Sequence, residues 1–328
     1  MTSVDAHHSQ RLECALCHST NATTFFEATD HREQLGGRFA IVGCADCGLV
    51  RTEPRPDDLG SWYPPEYRNH SAREPLTVRV IGRALTYNAG SGRNELMARL
   101  ASSAVPNAAV GPPLPRGARV LDVGAGNGRA VARLRAAGLD AWGVEPSEAA
   151  VAVAHGNGTT TVVAGTMETT PLAHEKWDLI RFTHVLEHVP SPVATLSSAA
   201  KALTPSGRIV ILVPNFAGAG RRLFGKAWDG LEVPRHLHHF TAGSLTQVLA
   251  AAGLRALSMH TAALFGVIPA SVDAWTCGGA RQRGWGGSIV VRAASYPLDL
   301  VLAAIGLGEG LVAVAVPTGA QGGGSSAM

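Results

Sequence analysis

The stretch Val120-Leu121-Asp122-Val123-Gly124-Ala125-Gly126-Asn127-Gly128 limits this chain more than any other. Apolar residues suited to a buried strand run into a glycine-rich turn, and a helix-like segment follows. Glycine has no Cβ and tolerates positive φ, so such a turn brings backbone N–H groups close to a ligand. The next strand-like segment ends on an acid, Trp142-Gly143-Val144-Glu145. A carboxylate there can accept both hydroxyls of a ribose. The pairing predicts a nucleoside-binding α/β fold.

From Arg119 onward the pattern alternates. Strands are expected at 119–124, 140–145, 160–164, 177–183 and 207–213, with two more at 254–260 and 311–316. Helices are expected at 127–138, 147–155, 191–204 and from Thr241 to about Ala252, the last capped by Thr241 and closed by Gly253. Such alternation gives a Rossmann-like, doubly wound, mostly parallel sheet of seven strands with right-handed crossovers. Residues 118–317 are assigned to it, with a Gly- and Arg-rich lid at 215–240. Within that lid Trp228 is expected to be the rigid point and the glycines the mobile ones, and Arg221, Arg222 and Lys226 either meet the phosphate of an acceptor such as a nucleotide-linked sugar or form a merely solvated loop. Residues 56–117 read as a connector and helical segment, and 318–328 as a disordered tail.

Four of the five cysteines fall in the first 50 residues, as Cys14-Ala-Leu-Cys17 and Cys44-Ala-Asp-Cys47. Two such knuckles suit tetrahedral Zn²⁺, while redox dithiols or disulfides are the alternative. A closed four-thiolate site is structural, so residues 11–55 are expected to form a small zinc-ribbon module. Cys277 stands apart and reads as a packed thiol. A net charge of +3, with no basic run, argues against a nucleic-acid partner. The stretch Tyr296–Val316 is broken by Asp299, Glu309 and three glycines, so a core helix plus strand is expected there and not a membrane span. Met1–Arg11 is polar, which points to a cytoplasmic protein.

Several further segments occur in a telling order: Gly165-Thr166-Met167-Glu168, Trp177-Asp178-Leu179-Ile180, Val185-Leu186-Glu187-His188-Val189-Pro190 and Leu203-Thr204-Pro205-Ser206-Gly207-Arg208. Over roughly residues 115–260 they resemble the successive motifs of class I S-adenosylmethionine-dependent methyltransferases. Pro214-Asn215 and the run from Pro234 to Thr241 resemble a bacterial branch in which a four-cysteine module precedes the catalytic fold, as in sugar C-methyltransferases. The resemblance implies that Asp122, Gly124 and Gly126 border the methionine part of S-adenosylmethionine and that Glu145 holds its ribose. It also implies that Thr166 and Met167 lie at the adenine and that Thr183 and His184 flank the sulfonium. Tyr63 and Tyr67 would reach the acceptor, with Trp228, His236 and His239.

His184, Glu187 and His188 form an H-x-x-E-H segment directly after a strand. A helical turn would set the three on one face. Three roles compete: His188 as general base with Glu187 orienting it; a second divalent metal at His184, Glu187, His188 and His239; or simple stabilisation of the loop. The metal idea follows the similar E-x-x-E-H of ubiquinone-pathway and small-RNA methyltransferases. The expected reaction is methyl transfer to a sugar, free or nucleotide-linked, or another small metabolite, at oxygen or carbon. An RNA methyltransferase and a non-catalytic, cofactor-sensing zinc-ribbon protein are the alternatives.

Overall fold

In the computed structural model, residues 13–63, 114–276 and 288–319 are described. Most of the expected connector and helical segment at 56–117, Tyr67, Cys277 and nearly all of the tail lie outside them.

Two sheets organise these residues. The larger comprises β4 (Arg119–Val123), β5 (Asp140–Glu145), β6 (Val162–Ala164), β7 (Trp177–Thr183), β8 (Leu203–Pro214), β10 (Leu254–Ala262) and β11 (Gly310–Pro317). Its spatial order is β10-β11-β8-β7-β4-β5-β6. The pairs from β6 to β8 are parallel, and β11 runs antiparallel to both β8 and β10. The seven-stranded, mostly parallel sheet expected from the sequence is therefore present. The order turns back between β4 and β7, and ligands of open α/β sheets bind beyond the carboxyl ends of strands at such a switch point.

The helices start where the chain supplies caps. Among the described residues they are α1 (Arg129–Ala136), α2 (Glu148–Gly156), α3 (Pro192–Lys201), α4 (Ala219–Phe224), α5 (Ala242–Ala251), α6 (Val267–Thr276) and α7 (Ile289–Ala304). The Ser147 and Ser191 side chains accept N–H groups at the starts of α2 and α3, and Pro192 opens α3. Thr241 and Ser244 form a reciprocal capping box on α5. The core between sheet and helices is apolar, with Leu121, Ile180, Phe182, Ile209, Ile211 and Val213 fully or nearly fully buried. Between Tyr296 and Val316 the chain makes the end of α7 and then β11, the expected helix plus strand, but the helix is not a core one, since Leu298, Val301 and Ile305 are exposed. No helix among the described residues is long and apolar enough to cross a membrane.

The smaller sheet has the order β1 (Ala22–Ala28), β2 (Phe39–Cys44), β3 (Val50–Glu53), β9 (His238–His239). Its fourth strand comes from the segment expected to be a lid. Arg51 pairs with His238 and Val50 with His239. Residues 227–240 are buried throughout. Trp228, Leu231 and Val233 pack against Phe39, Ile41 and Val50 in one cluster. That half of the segment is a fixed wall between the two sheets, and mobility is not what its packing provides.

Candidate active site

At the carboxyl end of β4 the turn opens with Gly124, at φ +69. A Cβ there would lie 2.4 Å from Val185 Cγ2, so both the backbone and the neighbour demand glycine. The turn is tied to β5, because Gly124 N and Ala125 N both donate to Val144 O. Glu145 is buried. Its Oε2 accepts from Gly126 N at 2.8 Å and its Oε1 from Ser147 N at 2.9 Å. An ionised carboxylate offers about four acceptor positions, so two stay open for hydroxyl donors. The orientation of this acid is thus fixed by the backbone before any ligand binds.

Asp122 and Arg181 face each other in the β4–β7 register, with Arg181 Nη1 3.4 Å from Asp122 Oδ1. Arg181 is fully buried and also donates to Thr183 Oγ1 at 3.2 Å. Burial raises the Asp122 pKa and the guanidinium opposes that rise. Arg181 was legible only as a charge set among the apolar residues Leu179, Ile180 and Phe182 of its strand. Thr166 is exposed and bonded to Thr169. Met167 is buried and packs in the main core, so its side chain is turned away from an open ligand surface, contrary to the expected contact with an adenine.

The segments around His184–His188 and His236–His239 converge, as the sequence suggested. Leu237 N and His238 N both donate to Glu187 O, at 2.7 and 3.1 Å. The segment is not a regular helical face, because His184 sits at φ +55. His184 Nδ1 nevertheless lies 3.2 Å from Glu187 Oε1. Glu187 is almost fully buried, and its Oε2 has no hydrogen-bond partner. His188 Nδ1 is 2.9 Å from the Arg235 carbonyl and 2.9 Å from Tyr63 Oη. A carbonyl only accepts, so Nδ1 carries the proton and Nε2 keeps its lone pair. Loss of solvent around the ring pushes the His188 pKa below the usual histidine range, against the pull of Glu187.

His236 packs edge-on to His188, with ring centroids 4.6 Å apart. Its Nδ1 donates to Gly230 O, and burial holds its pKa well below normal. One ligand atom each from Glu187, His188 and His236 falls within a 4.8 Å group. The metal set expected from the sequence is corrected on two members. His184 Nδ1 is engaged by Glu187, and His239 points to Thr52 Oγ1 at 3.0 Å and against the Phe216 ring. Trp228, expected at the acceptor, is fully buried and donates its Nε1 to Glu309 Oε2 at 2.6 Å. Arg221 lies over the Phe26 and Phe216 rings, 4.6 Å from each centroid, and is in part spent on that packing.

Residues outside the expected site hold this cluster in place. Arg235 is fully buried, and its guanidinium meets Asp30 in a two-pronged pair at 2.7 and 3.2 Å. It also donates to the Trp62 carbonyl and to Glu232. Arg32 pairs with Asp229 at 3.0 Å and contacts Glu232. Asp30, Arg32 and Trp62 lie far from residue 235 in the chain, and no local pattern announces their pairing.

The four N-terminal cysteines gather as the spacing required. Cys14 Sγ lies 3.4 Å from Cys47 Sγ, and Cys17 Sγ lies 3.5 Å from Cys44 Sγ. All four sulfurs fall within 4.8 Å of one another, and all four are free thiols. Tetrahedral zinc with bonds of about 2.3 Å sets sulfurs roughly 3.8 Å apart. The cluster therefore fits such an ion.

Comparison with known proteins agrees with this architecture. A family model described as a methyltransferase domain matches residues 93–259. A ubiquinone biosynthesis O-methyltransferase of Xanthomonas oryzae pv. oryzae is 33% identical over 133 residues, covering 38% of this chain and 55% of that protein. A malonyl-(acyl-carrier protein) O-methyltransferase of Hahella chejuensis is 28% identical over 144 residues, 42% of this chain and 50% of that protein. The chain thus spans about half the length of these curated relatives. Among solved structures, a TehB-like SAM-dependent methyltransferase from Corynebacterium glutamicum is 19% identical, covers 75% of this chain and all of its own, and gives a TM-score of 0.39.

Proposed function

Because this chain belongs to the methyltransferase-domain family, we propose that it transfers a methyl group from S-adenosylmethionine to a hydroxyl of a small-molecule acceptor. The observation that carries this reading is the His188 ring, with its Nδ1–H donated to Arg235 O and its Nε2 lone pair left for the acceptor. When bound, S-adenosylmethionine supplies an electrophilic methyl group. The residues that would hold it are Glu145 at the ribose, Asp122, Gly124 and Gly126 along the methionine, the Thr166–Met167 backbone near the base, and Thr183 beside the sulfonium.

The chain's own contribution is alignment and proton removal. An in-line displacement gains most from holding the acceptor oxygen in position. His188, neutral at pH 7 because burial lowers its pKa, takes the hydroxyl proton on Nε2 as the oxygen gains its methyl group. Tyr63 braces the opposite ring nitrogen, and Glu187 with His184 flanks the ring. A nucleotide-linked sugar is the acceptor class we favour. The division into a four-cysteine module at 11–55 and a catalytic domain at 118–317 belongs to the same proposal. So does a cytoplasmic location, which suits four reduced thiols holding structural zinc.

One observation favours a second reading of the histidines. Glu187 Oε2 is buried without a partner, beside His188 and His236. One carboxylate and two imidazoles suit Zn²⁺, Fe²⁺ or Mn²⁺ better than Mg²⁺. Labelled-methyl transfer into small-molecule extracts separates the two. The His188→Ala variant should lose about 10²- to 10⁴-fold in rate while still binding S-adenosylhomocysteine. A base role leaves the metal content unchanged. A metal role lowers the metal content by one ion per chain, counted with the four N-terminal cysteines intact so that the structural zinc stays in place. Undiminished turnover by His188→Ala would sink both readings.

A further inference from the structure

The antiparallel neighbours β10 and β11 could be joined by a short turn. The chain instead inserts α6 and α7 between them. α6 packs against α4 on one side and α7 on the other, and α7 also rests on β10, the edge strand of the large sheet. The three helices make one layer beside that edge.

α7 is turned inside out. A surface helix ordinarily buries its apolar stripe and shows polar side chains to water. Here Val290, Leu298 and Val301, with Ile305 at the C-terminus, are 55–70% exposed. Among the described side chains of α7, every other exposed position is an alanine or Pro297. At 3.6 residues per turn these positions fall on one stripe, about 24 Å long. The polar residues Arg292, Ser295 and Tyr296 lie on the opposite side and are half-buried, and Asp299 beside them is buried. The neighbouring helices continue the patch through Val272 and Trp275 of α6 and Leu223 of α4. Trp275 lies against Phe224, with ring centroids 6.3 Å apart. Of the ten large hydrophobic side chains exposed among the described residues, seven belong to this layer. Single exposed apolar residues are ordinary, but a cluster of this kind marks a surface that meets something other than water.

Charge decides what covers it. Arg222 and Lys226, close to Leu223 in the chain, are exposed, and neither has an ion pair among the described residues. The three helices expose no acid, since Asp273 is half-buried and Asp299 is buried. A second copy of the chain would bring the same cations and no exposed acid from this layer to meet them. A bilayer with anionic headgroups supplies the missing charge, and its acyl boundary accepts the apolar stripe. An exposed indole such as Trp275 suits the headgroup level, where its ring is covered and its N–H stays wet. α7 has 16 residues and includes Asp299, so it lies along such a surface and does not cross it.

We infer that this layer docks on a membrane, with the α7 stripe and Trp275 entering the headgroup boundary of an anionic bilayer and Arg222 and Lys226 meeting lipid phosphates. These two cations are thereby turned to lipid and not to the phosphate of an acceptor. Docking needs no methyl transfer, so the two readings stand or fall separately.

Flotation of the full-length, zinc-loaded protein tests this with two kinds of vesicle: phosphatidylcholine alone, and phosphatidylcholine with an equal part of phosphatidylglycerol. The protein should float with the mixed vesicles, and added salt should weaken the association. Leu298→Gln with Val301→Gln should lower partition at least tenfold, while the exposed positions leave zinc content and circular dichroism intact. Arg222→Gln with Lys226→Gln should lower it about thirtyfold. Flotation that depends on both pairs supports the surface. Failure to float with the mixed vesicles overturns it; if the lipid-free protein then sediments as a dimer that Leu298→Gln with Val301→Gln breaks, the face belongs to a second copy. Equal flotation with both kinds of vesicle also overturns it, as does flotation that the Leu298→Gln and Val301→Gln pair leaves unchanged.

Discussion

Replacing Asp30 with alanine should cost this protein more than its distance from the histidines suggests. The Asp30 carboxylate accepts both prongs of the Arg235 guanidinium, and also the backbone N–H groups of Arg32, Glu33 and Leu35. Both charged side chains are fully shielded from solvent. Without Asp30, Arg235 keeps only Glu232 and the Trp62 carbonyl, and Nη2 is left buried without its acceptor. Removing one partner of such a pair costs about 3–5 kcal/mol. At about 2–3 °C per kcal/mol, the melting temperature should fall by roughly 6–15 °C. Arg235 O also positions His188, so kcat should fall while affinity for S-adenosylhomocysteine holds. The assay is thermal unfolding of zinc-loaded Asp30→Ala, Arg235→Met and the double variant. The double variant should be less destabilised than the sum of the two, because it leaves no orphaned charge. A shift under about 2 °C for Asp30→Ala, or strict additivity, would show that the pair does not hold the segment before β9 against the turn after β1.

Two further outcomes follow from the same contacts. His238 and His239 are held down to about 4 and about 3 by burial, and His236 is also depressed. An unfolded histidine titrates near 6.5, so below that pH the unfolded chain binds more protons than the folded one. Stability is full above about pH 6.5 and should decline steadily toward pH 4, as urea midpoints across that range would show; a flat profile would mean that these rings are not buried neutral. Removing zinc with a chelator, or by Cys17→Ser, should unfold the small sheet, release β9 and abolish methyl transfer, read by tryptophan emission from Trp62 and Trp228 together with turnover. Full turnover by metal-free protein would contradict the idea that this sheet supports the site.

Much of the large sheet was legible because its signals are local. β5 and β7 fall where the apolar runs ended, and Thr241 caps α5 as its residue type requires. The clustering of Cys14, Cys17, Cys44 and Cys47 was legible for a similar reason, since ligand spacing is a short-range pattern. The partners of the histidines were not. H-x-x-E-H shows that His184 and Glu187 can meet, but its helical reading fails at the positive φ of His184. Nothing near residue 188 shows that Tyr63 braces its ring, or that His236 and not His239 stands beside it. Trp228 misled for a related reason: an aromatic in a Gly- and Arg-rich stretch looks available to a ligand until Glu309, 81 residues away, takes its N–H.

The two-residue strand β9 has a consequence for how the chain can be divided. Cut the protein anywhere between β3 and β4, and β3 is parted from β9, exposing a row of unpaired amide and carbonyl groups that invites intermolecular pairing. The remaining C-terminal piece would carry Trp228, Leu231 and Val233 uncovered. Neither fragment is expected to stay dispersed by itself, yet mixed in solution they should find each other, because each carries what the other lacks.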